Sequence, residues 1–127
     1  MERLAWVCLG GAAGSGARYL LAGWVQRLAS AGFPAGTLAV NLLGSFALGL
    51  LMPLGLRTDL LGPSVRLALT TGLLGGFTTY STFSYETMSL LQEGAWAGAL
   101  LNILATLVGC LAASFLGYAL AVRWIEG

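Results

Sequence analysis

The sequence contains no histidine and no lysine, and only 9% of its 127 residues are charged. Histidine is the commonest general base at neutral pH and a frequent metal ligand, so its absence leaves little from which to build an active site. The six basic residues are all arginine, and five acidic residues leave a formal net charge of +1. Such a chain lacks the clustered positive charge of a nucleic-acid-binding surface. We therefore expect neither an enzyme nor a nucleic-acid partner.

Cysteine is also scarce. The two cysteines, Cys8 and Cys110, both lie inside apolar runs. Their spacing matches no zinc or redox motif, and disulfide frameworks are typical of small secreted domains. We expect two free thiols that pack as small hydrophobic side chains.

Hydrophobic residues, in contrast, make up 57% of the chain. Four apolar runs follow one another, separated by short turns: Leu4–Gln26, Phe33–Leu56, Ser64–Leu91 and Ala95–Trp124. Each run exceeds the roughly 20 residues that a helix needs to cross about 30 Å of hydrocarbon. The sequence therefore predicts an all-α integral membrane protein, with residues 1–127 forming one domain of four transmembrane helices.

The third run does not resemble one continuous helix. At its full length it would measure about 42 Å, which is longer than the hydrocarbon is thick. Residues 72–84 contain three glycines and five serines or threonines, a composition that weakens a helix. A break within a membrane is tolerated where the freed backbone groups face protein, water or an ion. We predict a break near Gly75–Thr79, of the kind that often marks an ion site.

Two runs carry a narrow polar stripe, because residues four apart share one helix face. The first stripe is Thr37, Asn41, Ser45 and Gly49, and the second is Asn102, Thr106, Cys110 and Ser114. Such side chains commonly hydrogen-bond between membrane helices. Next to a hydroxyl-rich break they equally fit a polar pathway, and the sequence leaves both interpretations open.

Small residues also recur at a spacing of four, which permits close helix contact. They are Gly10 and Gly14 in the first run, and Gly109, Ala113 and Gly117 in the fourth. A bundle of four helices would expose its polar stripes to lipid if it stayed alone. We therefore expect the chain to form an oligomer.

One arginine lies well inside a membrane run. Arg18 is past the middle of the first run, where a charge is costly unless it extends to the interface or finds partners. Extension to the nearer interface is one interpretation. The other is that Arg18 attracts anions into a vestibule. Glu86, shortly after the predicted break, would cap or pair near an interface.

Three motifs in this order give the chain a resemblance to a known family, the Fluc fluoride channels, also called CrcB. The resemblance covers nearly the full length. The motifs are Gly10-Gly11-x-x-Gly14 ending at Arg18-Tyr19, Gly36-Thr37-x-x-x-Asn41-x-x-Gly44-Ser45-Phe46-x-x-Gly49, and Gly72-x-x-Gly75-Gly76-Phe77-Thr78-Thr79-Tyr80-Ser81-Thr82-Phe83-Ser84-x-Glu86. The third motif is highly specific, whereas the first alone would be weak.

The resemblance implies an antiparallel, dual-topology homodimer in the bacterial inner (plasma) membrane. Each subunit would cross the membrane several times, and two narrow pores along the interface would export fluoride passively from the cytoplasm. It also implies a structural Na⁺ at the dimer centre, held by the backbone carbonyls of Gly75 and Thr78. A heterodimer with a paralogue is an alternative, as in some two-gene relatives.

The resemblance also assigns roles to side chains. Asn41 would be the pore-lining amide, and Tyr80 and Phe83 would form an aromatic box around the permeating ion. Further polar candidates along the pathway are Ser81, Thr82, Thr106 and Ser114. The chain departs from the family's pattern at Tyr80, usually Phe, and at Asn102, where relatives often carry an aromatic residue.

Two other functions compete with a fluoride channel. A small multidrug-resistance-type exporter is also a four-helix dual-topology dimer, but it needs a carboxylate in the first span. The first run offers Gly14 and Ser15 in that region. A non-transporting membrane assembly subunit would use the polar stripes only for packing, and it would show no ion flux.

Overall fold

The computed structural model describes residues 1–29 and 32–127, and all regular secondary structure in these residues is helical. The turn predicted between the first two runs includes residues 30 and 31, which lie outside the described residues. The elements are α1 (Glu2–Leu28), α2 (Ala35–Arg57), α3 (Pro63–Leu67), a π-helical segment (Ala68–Leu74), α4 (Gly75–Phe77), α5 (Tyr80–Gln92) and α6 (Trp96–Glu126). An all-α fold is therefore confirmed, and each apolar run corresponds to helical structure within a few residues of its predicted bounds.

Two of these helices, α2 and α6, are both long enough and apolar enough to cross a membrane by composition. The first helix, α1, has 27 residues, but Arg18 and the glycines around it make it less apolar. The third run is divided into shorter elements and for that reason does not form one long helix.

The third run breaks at Thr78 and Thr79, inside the predicted range. Thr78 has φ −84° and ψ 158°, and Thr79 has φ −151° and ψ 115°, so both residues are extended. Two consecutive β-branched residues after Gly75 and Gly76 favour this geometry. The helical stretch before the break (63–77) includes the π-helical segment, which the sequence did not predict. π-helical turns are rare and frequently lie at functional sites.

Glycines hold the helices at short distances. A β-carbon on Gly14 would collide with the carbonyl of Leu73 in the π-helical segment. A β-carbon on Gly117 of α6 would collide with the carbonyl of Phe46 in α2. The small-residue faces of α1 and α6 therefore serve helix contact, as predicted, and α1 packs on the third run while α2 packs on α6.

The outer surface carries many large apolar side chains. On α6 they include Leu111 and Phe115, which are 74% and 72% exposed. A water-soluble monomer rarely presents so much contiguous apolar surface. This surface is suited to lipid or to a second membrane subunit.

Candidate functional site

The break in the third run is joined to α2 by one side chain. Asn41 donates from Nδ2 to the carbonyl oxygen of Thr79 at 3.0 Å. Its Oδ1 accepts from the backbone N–H of Thr79 at 2.7 Å. Both residues are buried. The amide side chain thus satisfies the N–H of Thr79, which has left the helical pattern, and adds a bond to the Thr79 carbonyl, which as the N-cap carbonyl of α5 also accepts from the helix.

A threonine hydroxyl caps the N-terminus of the next helix, α5. The Thr79 side chain is the N-cap of α5, accepting from the backbone N–H of Thr82 at 3.2 Å. It also donates to the Thr82 hydroxyl at 2.9 Å and lies 3.3 Å from the Ser81 hydroxyl. Threonine is a favourable N-cap residue because its oxygen accepts from a free N–H of the first helical turn.

The break frees the carbonyls of residues 75–78 from their helical donors, and the contacts of Thr79 account for two of them. In a continuous helix the N–H of Thr79 would donate to Gly75 O, and the N–H of Thr82 would donate to Thr78 O. The first N–H is bonded instead to Asn41 and the second to the Thr79 hydroxyl. The carbonyls of Gly75 and Thr78 are therefore free of their helical donors. Backbone carbonyls in this state suit a hard cation.

A polar cleft lies on one side of the Asn41–Thr79 pair, between α1, α2 and α5. We call it the arginine cleft, and its volume is about 440 Å³. Its polar lining includes Ser15, Arg18, Gln26, Thr37, Thr79, Thr82 and Glu86. Arg18, which sequence reasoning left between two interpretations, therefore faces a cavity that reaches the break.

The arginine cleft contains a hydrogen-bonded pair whose two members the sequence did not connect. Thr37 donates from Oγ1 to Oε1 of Glu86 at 2.7 Å, and the two residues are 49 positions apart. The other carboxylate oxygen of Glu86 is buried and has no hydrogen-bond partner among residues 1–29 and 32–127. Gln26 was also missed: its side chain bonds Phe33 O and the N–H of Gly36. A polar residue at the end of an apolar run was the available signal.

A second cleft, the hydroxyl cleft, lies between α2, α6 and the third run and also measures about 440 Å³. Asn41, Thr79 and Tyr80 line it together with the carbonyl-bearing Gly75 and Thr78. From α6 it receives Thr106, Cys110 and Ser114. Thr79 lines both clefts, so the break forms the wall between them.

The predicted site residues are thus divided. Arg18 and Thr82 line the arginine cleft, and Asn41, Tyr80, Thr106 and Ser114 line the hydroxyl cleft. Ser81 and Phe83 do not line the parts of the two clefts that the described residues form. Ser81 lies on the exposed face of α5.

The two aromatic residues differ in burial. The rings of Tyr80 and Phe83 lie 5.4 Å apart at an angle of 56°, a tilted arrangement that aromatic pairs favour. Tyr80 is 72% exposed on the outside of the subunit, whereas Phe83 is 6% exposed in its core. Within one subunit, therefore, the two rings touch but do not enclose a space.

The polar stripes also join helices. Ser114 donates to the carbonyl oxygen of Ser45 at 3.0 Å, which links α6 to α2. Asn102 donates to the Thr87 hydroxyl at 3.0 Å, and Thr87 donates to Phe83 O at 2.8 Å, which links α6 to α5. The stripes therefore provide helix contacts, and part of each stripe also lines a cleft.

Comparison with known proteins gives a consistent answer. Residues 5–118 match the family described as "CrcB-like protein, Camphor Resistance (CrcB)". The chain is 53% identical to the "Fluoride-specific ion channel FluC" of Sorangium cellulosum and 51% identical to that of Anaeromyxobacter dehalogenans, over the full length of both chains in each case. It is 55% identical to the protein of that name from Geobacter sulfurreducens, over 84% of this chain and 86% of the relative. The chain belongs to the CrcB family.

Proposed function

We propose that this chain is a subunit of a fluoride-selective channel that exports fluoride passively and lowers its cytoplasmic concentration. The single observation that carries the proposal is the Asn41–Thr79 pair, which lies between two polar clefts inside an otherwise apolar bundle. The names of the full-length relatives support the choice of ion. The protein is a transporter rather than an enzyme, in agreement with its family.

The chemistry of the clefts suits a small, strongly hydrated anion. Hydroxyl and amide groups donate hydrogen bonds that replace water around fluoride. Asn41, Thr106 and Ser114 supply such groups on one side of the break, and Thr82 does so on the other. Arg18 would raise the local anion concentration in the arginine cleft. Aromatic edges are the positive part of the ring, and the exposed ring of Tyr80 would present its edge to the ion, with the buried ring of Phe83 packed against it.

The working unit is an antiparallel homodimer of subunits that each cross the inner membrane four times as one domain. Its support is a set of exposed residues along the third run that bear polar side chains or a free carbonyl: Thr71, Gly75, Tyr80, Ser81 and Ser84. Exposing these polar groups to lipid is unfavourable, and a second copy would cover them. In this arrangement Ser81 and the Tyr80 ring would line the pathway between the subunits.

A structural Na⁺ at the dimer centre is part of the proposal. Gly75 is exposed on the same face and Thr78 is half-buried, and both carbonyls are free of their helical donors. Two such carbonyls from each subunit would give a cation four oxygen ligands. The positive charge would lower the cost of an anion crossing a region of low dielectric.

The direct test is fluoride efflux from liposomes that contain the purified protein. Valinomycin starts the efflux, a fluoride electrode follows it, and chloride-loaded vesicles provide the control. We expect fluoride efflux without chloride efflux, and its loss in Asn41→Leu. A folded dimer that conducts neither ion would contradict the homomeric channel. Fluoride efflux restored by a co-expressed paralogue would then indicate a heterodimer. Absence of efflux with the paralogue would indicate a non-transporting assembly subunit.

A small multidrug-resistance-type exporter is not favoured. Proton-coupled drug export requires a carboxylate within the first span. The acid in α1 is Glu2, which lies in the first turn and accepts a long hydrogen bond from Trp6. Family membership points the same way.

A further inference from the structure

A third groove lies at the end of the bundle where three helix ends meet, and it shares Thr70 with the hydroxyl cleft. Its volume is about 490 Å³, within the range of about 300–1,000 Å³ that small-molecule sites occupy. It is lined by Arg3, Met52, Leu56, Pro63, Arg66, Leu67 and Thr70. We call it the two-arginine groove.

The groove lies at the level of a membrane surface if the bundle spans a bilayer. α1 begins at Glu2, α2 ends at Arg57 and α3 begins at Pro63, and α3 packs on both other helices. Side chains near such helix ends reach the lipid headgroups, and arginine is favoured there. A lipid is therefore the molecule that meets this groove at the highest concentration.

The arginine on one side of the groove is held in place. Arg66 donates from Nη1 to the carbonyl oxygen of Gly55 at 2.6 Å. A β-carbon on Gly55 would lie 2.7 Å from Cδ and 3.1 Å from Cγ of Arg66, so the glycine makes room for this side chain. Only one of the five guanidinium donors is used in that bond. The remaining donors are available to a phosphate, whose geometry the planar guanidinium matches.

The charge of the groove is not neutralised by its own lining. Within the described residues no acidic side chain lines it, although Glu2 and Asp59 are close in sequence. Glu2 accepts from Trp6 instead. A second nearby arginine, Arg57, is already engaged by Tyr118 at 2.7 Å and by Glu126 at 4.0 Å. Arg3 and Arg66 therefore provide positive charge above an apolar floor of Met52, Leu56 and Leu67.

We propose that the two-arginine groove binds an anionic phospholipid, with its phosphate between Arg3 and Arg66 and one acyl chain along the apolar floor. Charge complementarity selects the headgroup, and the apolar floor selects a lipid over a free phosphate. Basic pockets between membrane helices are known to take such headgroups. The proposal requires only that the chain lies in a membrane, so it does not depend on fluoride conduction.

Native mass spectrometry of the detergent-purified protein tests this site. Phosphatidylglycerol and phosphatidylcholine with identical acyl chains are added at equal concentrations, and the retained lipid is counted. We expect preferential retention of phosphatidylglycerol, with each arginine contributing about fivefold near a membrane surface. Arg3→Gln and Arg66→Gln should each lower that retention, and the double variant should abolish the preference. Arg123→Gln removes the same charge from an exposed position outside the groove and should have no effect.

Two further measurements keep the test decisive if Arg66→Gln disturbs folding. Leu56→Gln changes an exposed floor residue and keeps both arginines, and it should still lower phosphatidylglycerol retention. Glycerol phosphate, which carries the charge without acyl chains, should not displace the lipid. Four results would each overturn the proposal. They are equal retention of the two lipids, a loss of phosphatidylglycerol retention in Arg123→Gln as large as in the groove variants, undiminished phosphatidylglycerol retention in Leu56→Gln, and displacement of the lipid by glycerol phosphate.

Discussion

The side chain of Asn41 and the backbone of Thr79 are joined by two hydrogen bonds that run in opposite directions, at 3.0 and 2.7 Å. The amide therefore replaces the helical partner that the N–H of Thr79 gives up at the break. It also fixes the wall between the arginine cleft and the hydroxyl cleft.

Replacing Asn41 with leucine should affect both stability and conduction. The N–H of Thr79 would be buried without a partner, and such a group costs about 1–3 kcal/mol. We expect the free energy of unfolding to fall by about 1–3 kcal/mol, measured in detergent–SDS titrations, and fluoride efflux to stop. Asn102→Leu is the matched control, since Asn102 is also buried but bonds Thr87. It should cost stability and retain efflux, and an equal loss of efflux in both variants would contradict a special role for Asn41.

Two glycines of α1, two positions apart, should respond in opposite ways to alanine. Gly14 contacts the third run, whereas among residues 1–29 and 32–127 no atom beyond the surrounding turn of α1 lies within 4 Å of a β-carbon built on Gly16. Gly14→Ala should lower the free energy of unfolding by about 1–3 kcal/mol through overpacking. Gly16→Ala should raise it by up to about 1 kcal/mol, because alanine favours the helix. The same SDS titration measures both, and a stable Gly14→Ala would mean that α1 does not approach the third run so closely.

Arg18→Gln should slow fluoride efflux in a salt-dependent manner. Attraction of anions into a cleft weakens with ionic strength, since the Debye length falls from about 10 Å at 0.1 M to about 3 Å at 1 M. We expect a several-fold decrease at low salt that shrinks at high salt. Arg123→Gln, which removes an equal charge outside the arginine cleft, should leave the rate unchanged. A decrease that does not depend on salt would instead indicate a structural role for Arg18.

The two aromatic residues should separate stability from permeation. Phe83→Ala removes a buried ring and should lower the free energy of unfolding by about 3–5 kcal/mol. Tyr80→Phe removes only an exposed hydroxyl, so the free energy of unfolding should change by less than about 0.5 kcal/mol. Any change in fluoride efflux in Tyr80→Phe would therefore report on the pathway itself. An equal loss of stability in both variants would contradict the exposed position of Tyr80.

Sodium should stabilise the assembled protein if the carbonyls of Gly75 and Thr78 hold it. A ligand that binds only the folded state raises stability as its concentration rises. We expect the midpoint of thermal unfolding to increase with Na⁺, and not with equal concentrations of N-methylglucamine at constant ionic strength. Equal midpoints of thermal unfolding in Na⁺ and N-methylglucamine would argue against a bound Na⁺. This result would not bear on fluoride conduction, which the efflux assay tests separately.

The sequence predicted the helical class and the region of the break because both depend on local chemistry. Long apolar runs require helices in lipid, and glycines followed by β-branched residues weaken a helix wherever they lie. The π-helical segment Ala68–Leu74 was not predicted, because residue composition does not distinguish it from an α-helix; it packs closely on α1.

The site was only partly predictable for a different reason. Asn41 and the residues around Thr79 were identified individually, but their contact joins positions 38 apart. Thr37 and Glu86, 49 apart, were both visible as polar residues in apolar runs, yet no periodicity relates them. Helix rotation and separation determine such contacts, and these follow from packing across the whole bundle. The division of the site into two clefts arises in the same way.

The Asn41–Thr79 pair also has a consequence for the order of biosynthesis. A chain is made from its N-terminus, so the helix with Asn41 is translated before the break that it stabilises, 38 positions later. The partner of the Thr79 N–H is therefore already made when the third run is translated. A chain without that amide would place the break with this N–H unsatisfied.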